Sequence, residues 1–102
     1  MIDERDIERQ LGRIAQECGG LCLKLDSSAK KGIQDRLVLL PRARVYFVEL
    51  KRPGGGRVSV LQQVRRTQIR RMGFPALVIR DAAELAELTK SWYDNDERKD
   101  ET

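Results

Sequence analysis

The sequence predicts an α/β domain in the order αβββαβα, a mixed sheet flanked by helices, and three observations carry that expectation. Two runs, 35–40 and 45–50, are apolar on nearly every residue, the pattern of strands covered on both faces. A helical stretch separates the second run from another apolar run at 76–79, which makes it a crossover between parallel neighbours with a right-handed connection. Apolar residues at helical spacing open the chain, and a capping signal at 81–84 opens a last helix.

Taken in order, Asp3 caps a first helix to Cys18, with Ile7, Leu11, Ile14, Ala15 and Cys18 on its apolar face and Glu4 and Glu8 on its polar one. Gly19-Gly20 ends it, and Leu21 to Leu25 forms a short strand. The stretch DSSAKK at 26–31 is a polar loop that places Lys30 and Lys31 just before Gly32. Strands Asp35–Leu40 and Val45–Leu50 are joined through Pro41-Arg42-Ala43-Arg44. The segment Arg52-Pro53-Gly54-Gly55-Gly56-Arg57 is a mobile loop, because proline cannot extend the ladder and three glycines are entropically costly to order. Ser59 caps a helix from Val60 to Met72 with Leu61, Val64, Ile69 and Met72 towards the core, and Gly73 ends it. Ala76–Ile79 is a buried strand, and Asp81-Ala82-Ala83-Glu84 opens the last helix with a capping box.

A chain of 102 residues suits one domain. We expect that domain to occupy 1–93, with 94–102, DNDERKDET, a disordered charged tail. The N-terminal MIDERDIERQ has neither the apolar core of a signal peptide nor a membrane span, so a cytoplasmic protein with no membrane partner is the expectation. Cys18 and Cys22 are the only cysteines and histidine is absent, which excludes a four-ligand zinc site within the chain and a cysteine–histidine nucleophile. Both thiols are expected reduced and mostly buried.

Charge is distributed unevenly. From Lys24 to Arg80, 14 lysines and arginines face only Asp26, Asp35 and Glu49, a net of +11, whereas residues 1–23 carry −2 and residues 81–102 carry −5. So concentrated a basic segment suits a polyanion, above all nucleic acid. Arg65, Arg66, Arg70 and Arg71 have no matching acids on their helix and read as a phosphate track. The glycine-rich loop is not a nucleotide-binding one, because GGGR lacks the Gly-Lys-Ser/Thr of that motif.

Within this basic segment stand the residues that can carry chemistry. An ionised Glu49 inside VYFVEL is costly to bury without a cation or several donors. Glu49 and Lys51 lie two apart on a strand and share a face. Asp35 joins them from the antiparallel neighbour only if paired residue numbers have an even sum, as in 35 with 49. That requires a hairpin loop of three or five residues, or a bulge; a symmetric four-residue turn at 41–44 puts Asp35 on the wrong face. Asp35 and Glu49, with the Leu50 main-chain carbonyl and waters, compose an oxygen-only set suited to Mg2+ or Mn2+. Lys51 is placed to orient a water or offset developing charge. Gln62 is explained by spacing first as the partner of Ser59 in a capping box, a role compatible with a place in the site. Spacing does not choose between Glu8 and Glu4 as an acid contributed by the first helix.

Taken together, Gly32-Ile33-Gln34-Asp35-Arg36-Leu37-Val38-Leu39, Val45-Tyr46-Phe47-Val48-Glu49-Leu50-Lys51, Val58-Ser59-Val60-Leu61-Gln62 and Leu77-Val78-Ile79 resemble the virus-type replication-repair nuclease domain (VRR-NUC) of the PD-(D/E)xK superfamily. The resemblance runs from the first helix to about Ile79 and implies a restriction-endonuclease-like core. It implies a Mg2+- or Mn2+-dependent endonuclease that hydrolyses phosphodiester bonds in branched or structured DNA, such as four-way junctions or flaps, like a Holliday-junction resolvase in DNA repair. Small stand-alone members imply a homodimer, here in the cytoplasm of a bacterial or phage-infected host cell. By match, Asp35 and Glu49 would bind metal, Lys51 would be the catalytic lysine, Gln62 the motif glutamine and Glu8 the first-helix acid; the charge of the central segment, not the match, sets Lys30, Lys31, Arg52, Arg57, Arg65, Arg66, Arg70 and Arg71 on DNA. The sequence departs from the family at Gln34, where proline usually precedes the aspartate. The alternative is a non-catalytic nucleic-acid-binding module using the same basic surface, with the acids in structural ion pairs.

Overall fold

A computed structural model describes residues 3–25, 35–51 and 58–98. Lys30, Lys31, Gln34, Arg52 and Arg57, and the two loops that carry them, lie outside the described residues. Helix α1 (Glu4–Glu17), strands β1 (Leu21–Lys24), β2 (Arg36–Leu40) and β3 (Arg44–Leu50), helix α2 (Val60–Arg71), strand β4 (Ala76–Ile79) and helix α3 (Ala82–Arg98) follow in the anticipated order. Local chemistry sets their ends. Asp3 Oδ1 accepts from the Asp6 backbone N–H at 3.0 Å while Asp6 Oδ2 accepts from that of Asp3, closing a reciprocal box at the start of α1. Gly19, at φ +83°, turns the chain out of the helix. Gly20 then passes so close to β2 that a Cβ there would stand 2.1 Å from the Leu39 carbonyl oxygen, which leaves room only for glycine.

The sheet order is β1-β2-β3-β4, antiparallel between the first two pairs and parallel between β3 and β4. The hairpin between β2 and β3 settles the parity question. Leu40 pairs with Arg44 and Arg36 with Val48, so the loop is the three residues Pro41-Arg42-Ala43. Arg42 and Ala43 both take positive φ, 70° and 60°, and Arg44 Nε donates to the Pro41 carbonyl at 3.0 Å across the turn. One step beyond the last pair, Asp35 stands opposite Glu49, on the same face.

The core lies on the other face. Ile7, Leu11, Ile14, Ala15 and Cys18 from α1, with Leu85 and Trp92 from α3, close over Val38, Leu40, Val48, Leu50 and Ile79. Each large apolar side chain so buried contributes about 2 kcal/mol. Trp92 also stacks on Tyr46 with ring centroids 5.0 Å apart. Cys18 is buried and Cys22 half-buried, and neither is in a disulfide.

Three expectations need correction. The sheet is not covered on both faces: Leu21 and Leu23 are 58% and 43% exposed, since the single helix α2 spans only the β3/β4 side of that face. Leu61, Val64 and Met72 accordingly point to solvent, and α2 rests on half-buried Ile69 and on Arg70, whose Nε donates to the Ala76 carbonyl at 2.9 Å. Finally, α3 continues through Arg98, so 94–98 of the expected disordered tail are helical, while 99–102 lie outside the described residues. The box opening α3 also differs in detail: Glu84 N–H donates to Asp81 Oδ1, but the Glu84 carboxylate accepts from Arg80 N–H. No helix among the described residues is long and apolar enough to cross a membrane.

Candidate active site

The parallel pairing of β3 with β4 carries Glu49 and Lys51 to the C-terminal end of the sheet, where Lys51 N–H donates to the Ile79 carbonyl at 3.0 Å. Glu49 is only 4% exposed. Its Oε2 lies 3.5 Å from Lys51 Nζ, while Oε1 is buried with no hydrogen-bond partner among the described residues. Burial raises its pKa; Lys51, the Gln62 side-chain amide and the Asp35 backbone amide pull in the opposite direction.

Asp35 joins from β2. Its Oδ1 accepts from the Leu50 N–H at 3.1 Å. Burial, and next the Glu49 charge facing it, push its pKa up from 3.8 to about 6. Its backbone carbonyl accepts from both Leu25 N–H and Arg36 Nη1, each at 3.0 Å. A strand residue's N–H and C=O project from the same edge, so the Leu50 carbonyl also faces the Asp35 side.

Gln62 reaches the site from the first turn of α2. Its Oε1 accepts from Ser59 N–H at 3.0 Å, and Ser59 Oγ accepts from Gln62 N–H at 3.1 Å, the complete capping box. The amide nitrogen end remains available to Glu49, whose charge it favours. The cap and the site are therefore served by opposite ends of one amide.

Glu8 does not join the carboxylate pair. It forms an ion pair with Arg36 Nη2, and Arg36 Nη1 stands 3.6 Å from Asp35 Oδ2. Burial lowers the pKa of Arg36, and the charges of Glu4, one helical turn before Glu8, and of Glu49 oppose that; the same Glu4 charge adds to the rise at Asp35. Arg36 is thus the member of the site to which the sequence analysis assigned no role. Its signal was a cation at an alternate position of an apolar strand, on the face that packs against α1.

Whether these residues suit a divalent cation can be judged from the donors. Two carboxylates of the same charge face one another, one with an unpartnered buried oxygen, and each has its pKa raised. An oxygen-only set of Asp35, Glu49 and the Leu50 carbonyl fits a hard cation completed by water or phosphate oxygens. Among the described residues no third acid, cysteine or histidine completes a cluster. Of the arginines on α2, Arg65 donates to Gln68 and Arg70 braces the helix on β4, while Arg66 is half-buried and Arg71 exposed.

No family model matches the sequence. "Putative nuclease p44" of Acyrthosiphon pisum secondary endosymbiont phage 1 is 41% identical over 54 residues, 53% of this chain. The match spans 58% of that relative's length. A solved structure described as "VRR_NUC domain" superposes with a TM-score of 0.78 at 25% identity, over 85% of this chain and 94% of that one. The chain therefore has the fold of a VRR-NUC domain, an α/β core of the PD-(D/E)xK type, and is similar in sequence over about half its length to a phage nuclease.

Proposed function

We propose that this domain is a metal-dependent endonuclease that hydrolyses phosphodiester bonds in branched or structured DNA. The observation that carries the reading is the register of the hairpin, which sets Asp35 against Glu49 and Lys51 on one face, with Glu49 Oε1 buried and without a hydrogen-bond partner among the described residues. A Mg2+ or Mn2+ ion held by Asp35, Glu49 and the Leu50 carbonyl would polarise the scissile phosphate and acidify a bound water. The chain's own residues do the rest. Glu49 restrains Lys51, whose ammonium orients the attacking water and offsets charge that develops on the phosphate. Gln62 orients the Glu49 carboxylate, and the N-terminus of α2 presents positive dipole to a phosphate at the same place. Arg66 and Arg71, with Arg65 and Arg70 beside them, follow the DNA backbone from there, joined by Lys30, Lys31, Arg52 and Arg57.

The test is cleavage of synthetic four-way junctions, flaps and plain duplex with Mg2+, Mn2+ or EDTA, with Asp35→Ala and Lys51→Ala as controls. Metal-dependent cutting of branched substrates that both variants lose is the expected result. Full activity in Asp35→Ala refutes the site, and binding without cleavage in any divalent metal, indifferent to Glu49→Gln, assigns a non-catalytic DNA-binding module instead.

A homodimer is the assembly proposed, acting in the cytoplasm of a bacterial or phage-infected host cell. Leu21 and Leu23, 58% and 43% exposed on the edge strand, are the apolar side chains that a second copy would cover. Light scattering should give twice the chain mass for the wild type and the chain mass for a Leu21→Ser, Leu23→Ser variant. A wild-type monomer at micromolar concentration would refute the pairing.

A further inference from the structure

Arg36 follows Asp35 directly on β2, so its side chain leaves the opposite face of the sheet, the one that packs on α1. It is 5% exposed and pairs across the sheet with Val48. A guanidinium placed there loses several kcal/mol of solvation. For stability alone an apolar residue of similar volume would serve as well or better. The contacts suggest what the cation is for. One arm pairs with Glu8 from α1; the other donates to the Asp35 carbonyl at 3.0 Å and stands 3.6 Å from Asp35 Oδ2.

We propose that Arg36 is a positioning residue for Asp35, and that Glu8 acts through Arg36 rather than on the metal. The inference rests on the nuclease reading above. The planar fork reaches the Asp35 peptide, the Asp35 carboxylate and a carboxylate on α1 at once, which a lysine's single ammonium cannot do. Asp35 is thereby held at three points: Oδ1 by Leu50 N–H, the carbonyl by Leu25 N–H and Arg36, and Oδ2 by the Arg36 charge. That charge also stands beside the carboxylate that Glu49 repels, so it keeps Asp35 in place before a metal arrives. Glu8, whose side chain is 45% exposed, orients the fork from α1. The first helix then contributes to metal affinity at one remove.

The experiment titrates Mn2+ against thermal stability in wild type, Arg36→Lys, Glu8→Gln and the double variant, beside DNA affinity in EDTA and the kcat and KM of cleavage. Each single variant should raise the half-stabilising Mn2+ concentration about tenfold or more, the usual effect of losing a residue that orients a metal ligand. Both should lower kcat while DNA affinity in EDTA and KM stay at wild-type values, because Arg36 is buried away from any phosphate. The double variant should be no worse than Arg36→Lys. Glu8→Gln, at a half-exposed helix position, keeps the test meaningful if Arg36→Lys folds poorly. The inference is overturned if the single variants lose stability but keep the wild-type Mn2+ dependence. It is equally overturned if Glu8→Gln weakens Mn2+ as much in the Arg36→Lys background as alone, since Glu8 would then act on the metal directly. A wild type that Mn2+ does not stabilise removes the metal reading and this inference with it; a responsive wild type whose variants keep an unchanged Mn2+ dependence removes only this one.

Discussion

Asp35→Asn should make the metal-free protein more stable at pH 8 while abolishing cleavage. In the folded chain the Asp35 carboxyl titrates at about 6 against an ordinary 3.8, because it is half-enclosed and faces Glu49. A raised carboxylate pKa means that the folded state holds its proton more tightly than the unfolded chain does. The associated stability is complete below pH 3.8 and is lost as pH rises to about 6. At about 1.4 kcal/mol per unit, that interval corresponds to a ceiling of about 3 kcal/mol. The side chain is 25% exposed, and solvent screening brings the expected value to about 1–2 kcal/mol. Asparagine keeps an oxygen for the Leu50 N–H and carries no charge to face Glu49.

Urea unfolding in EDTA at pH 8 and pH 4 measures this directly. The variant should exceed the wild type by about 1–2 kcal/mol at pH 8, with most of the gap closed at pH 4. Saturating Mn2+ should then reverse the order at pH 8, since ligand at a hundred times its Kd adds about 2.7 kcal/mol to the species that binds it. An Asp35→Asn variant that is no more stable than wild type at pH 8 in EDTA, or a gap that ignores pH, would refute the argument that burial and the facing Glu49 charge disfavour the ionised Asp35 in the metal-free protein.

Other outcomes follow from the same geometry. Lys51→Met should leave DNA binding in EDTA within about twofold and lower kcat by about 100-fold or more, as measured by single-turnover cleavage, since its role is to stabilise developing charge. Ser59→Ala should cost about 1 kcal/mol in urea melts through the lost cap and leave the rate nearly unchanged, whereas Gln62→Ala should show that loss together with a rate at least about tenfold lower; equal rates in the two variants would reduce Gln62 to a cap. The half-saturating Mn2+ concentration should rise about tenfold per pH unit below 6 as protons compete at Asp35, read by thermal shift across a pH series. Gly20→Ala, whose Cβ would meet the Leu39 carbonyl oxygen at 2.1 Å, should destabilise the fold by about 1–3 kcal/mol in urea, with no change in metal dependence.

The parts of this molecule that were legible in the sequence are those governed by parity and by local hydrogen bonding. Strand residues alternate faces, so a single integer, the length of the hairpin loop, decided whether Asp35 could meet Glu49; the three-residue loop at 41–43 satisfies it. The Ser59–Gln62 box is set within four residues and appeared as read. The apolar face of α2 was misread for the converse reason. Leu61 and Val64 follow a helical period, but a period says only that one side of a helix differs from the other, not that something packs on it. In a sheet of four strands with one helix on that face, the apolar side of α2 and the leucines of β1 are both left in solvent. Arg36 was missed on similar grounds, because its meaning depends on Glu8, 28 positions earlier in the chain, and on burial that no local pattern encodes. A cation buried beneath two facing carboxylates makes sense only once all three are in one place, and its presence explains how Asp35 and Glu49 tolerate each other in a fold that must form before any metal binds.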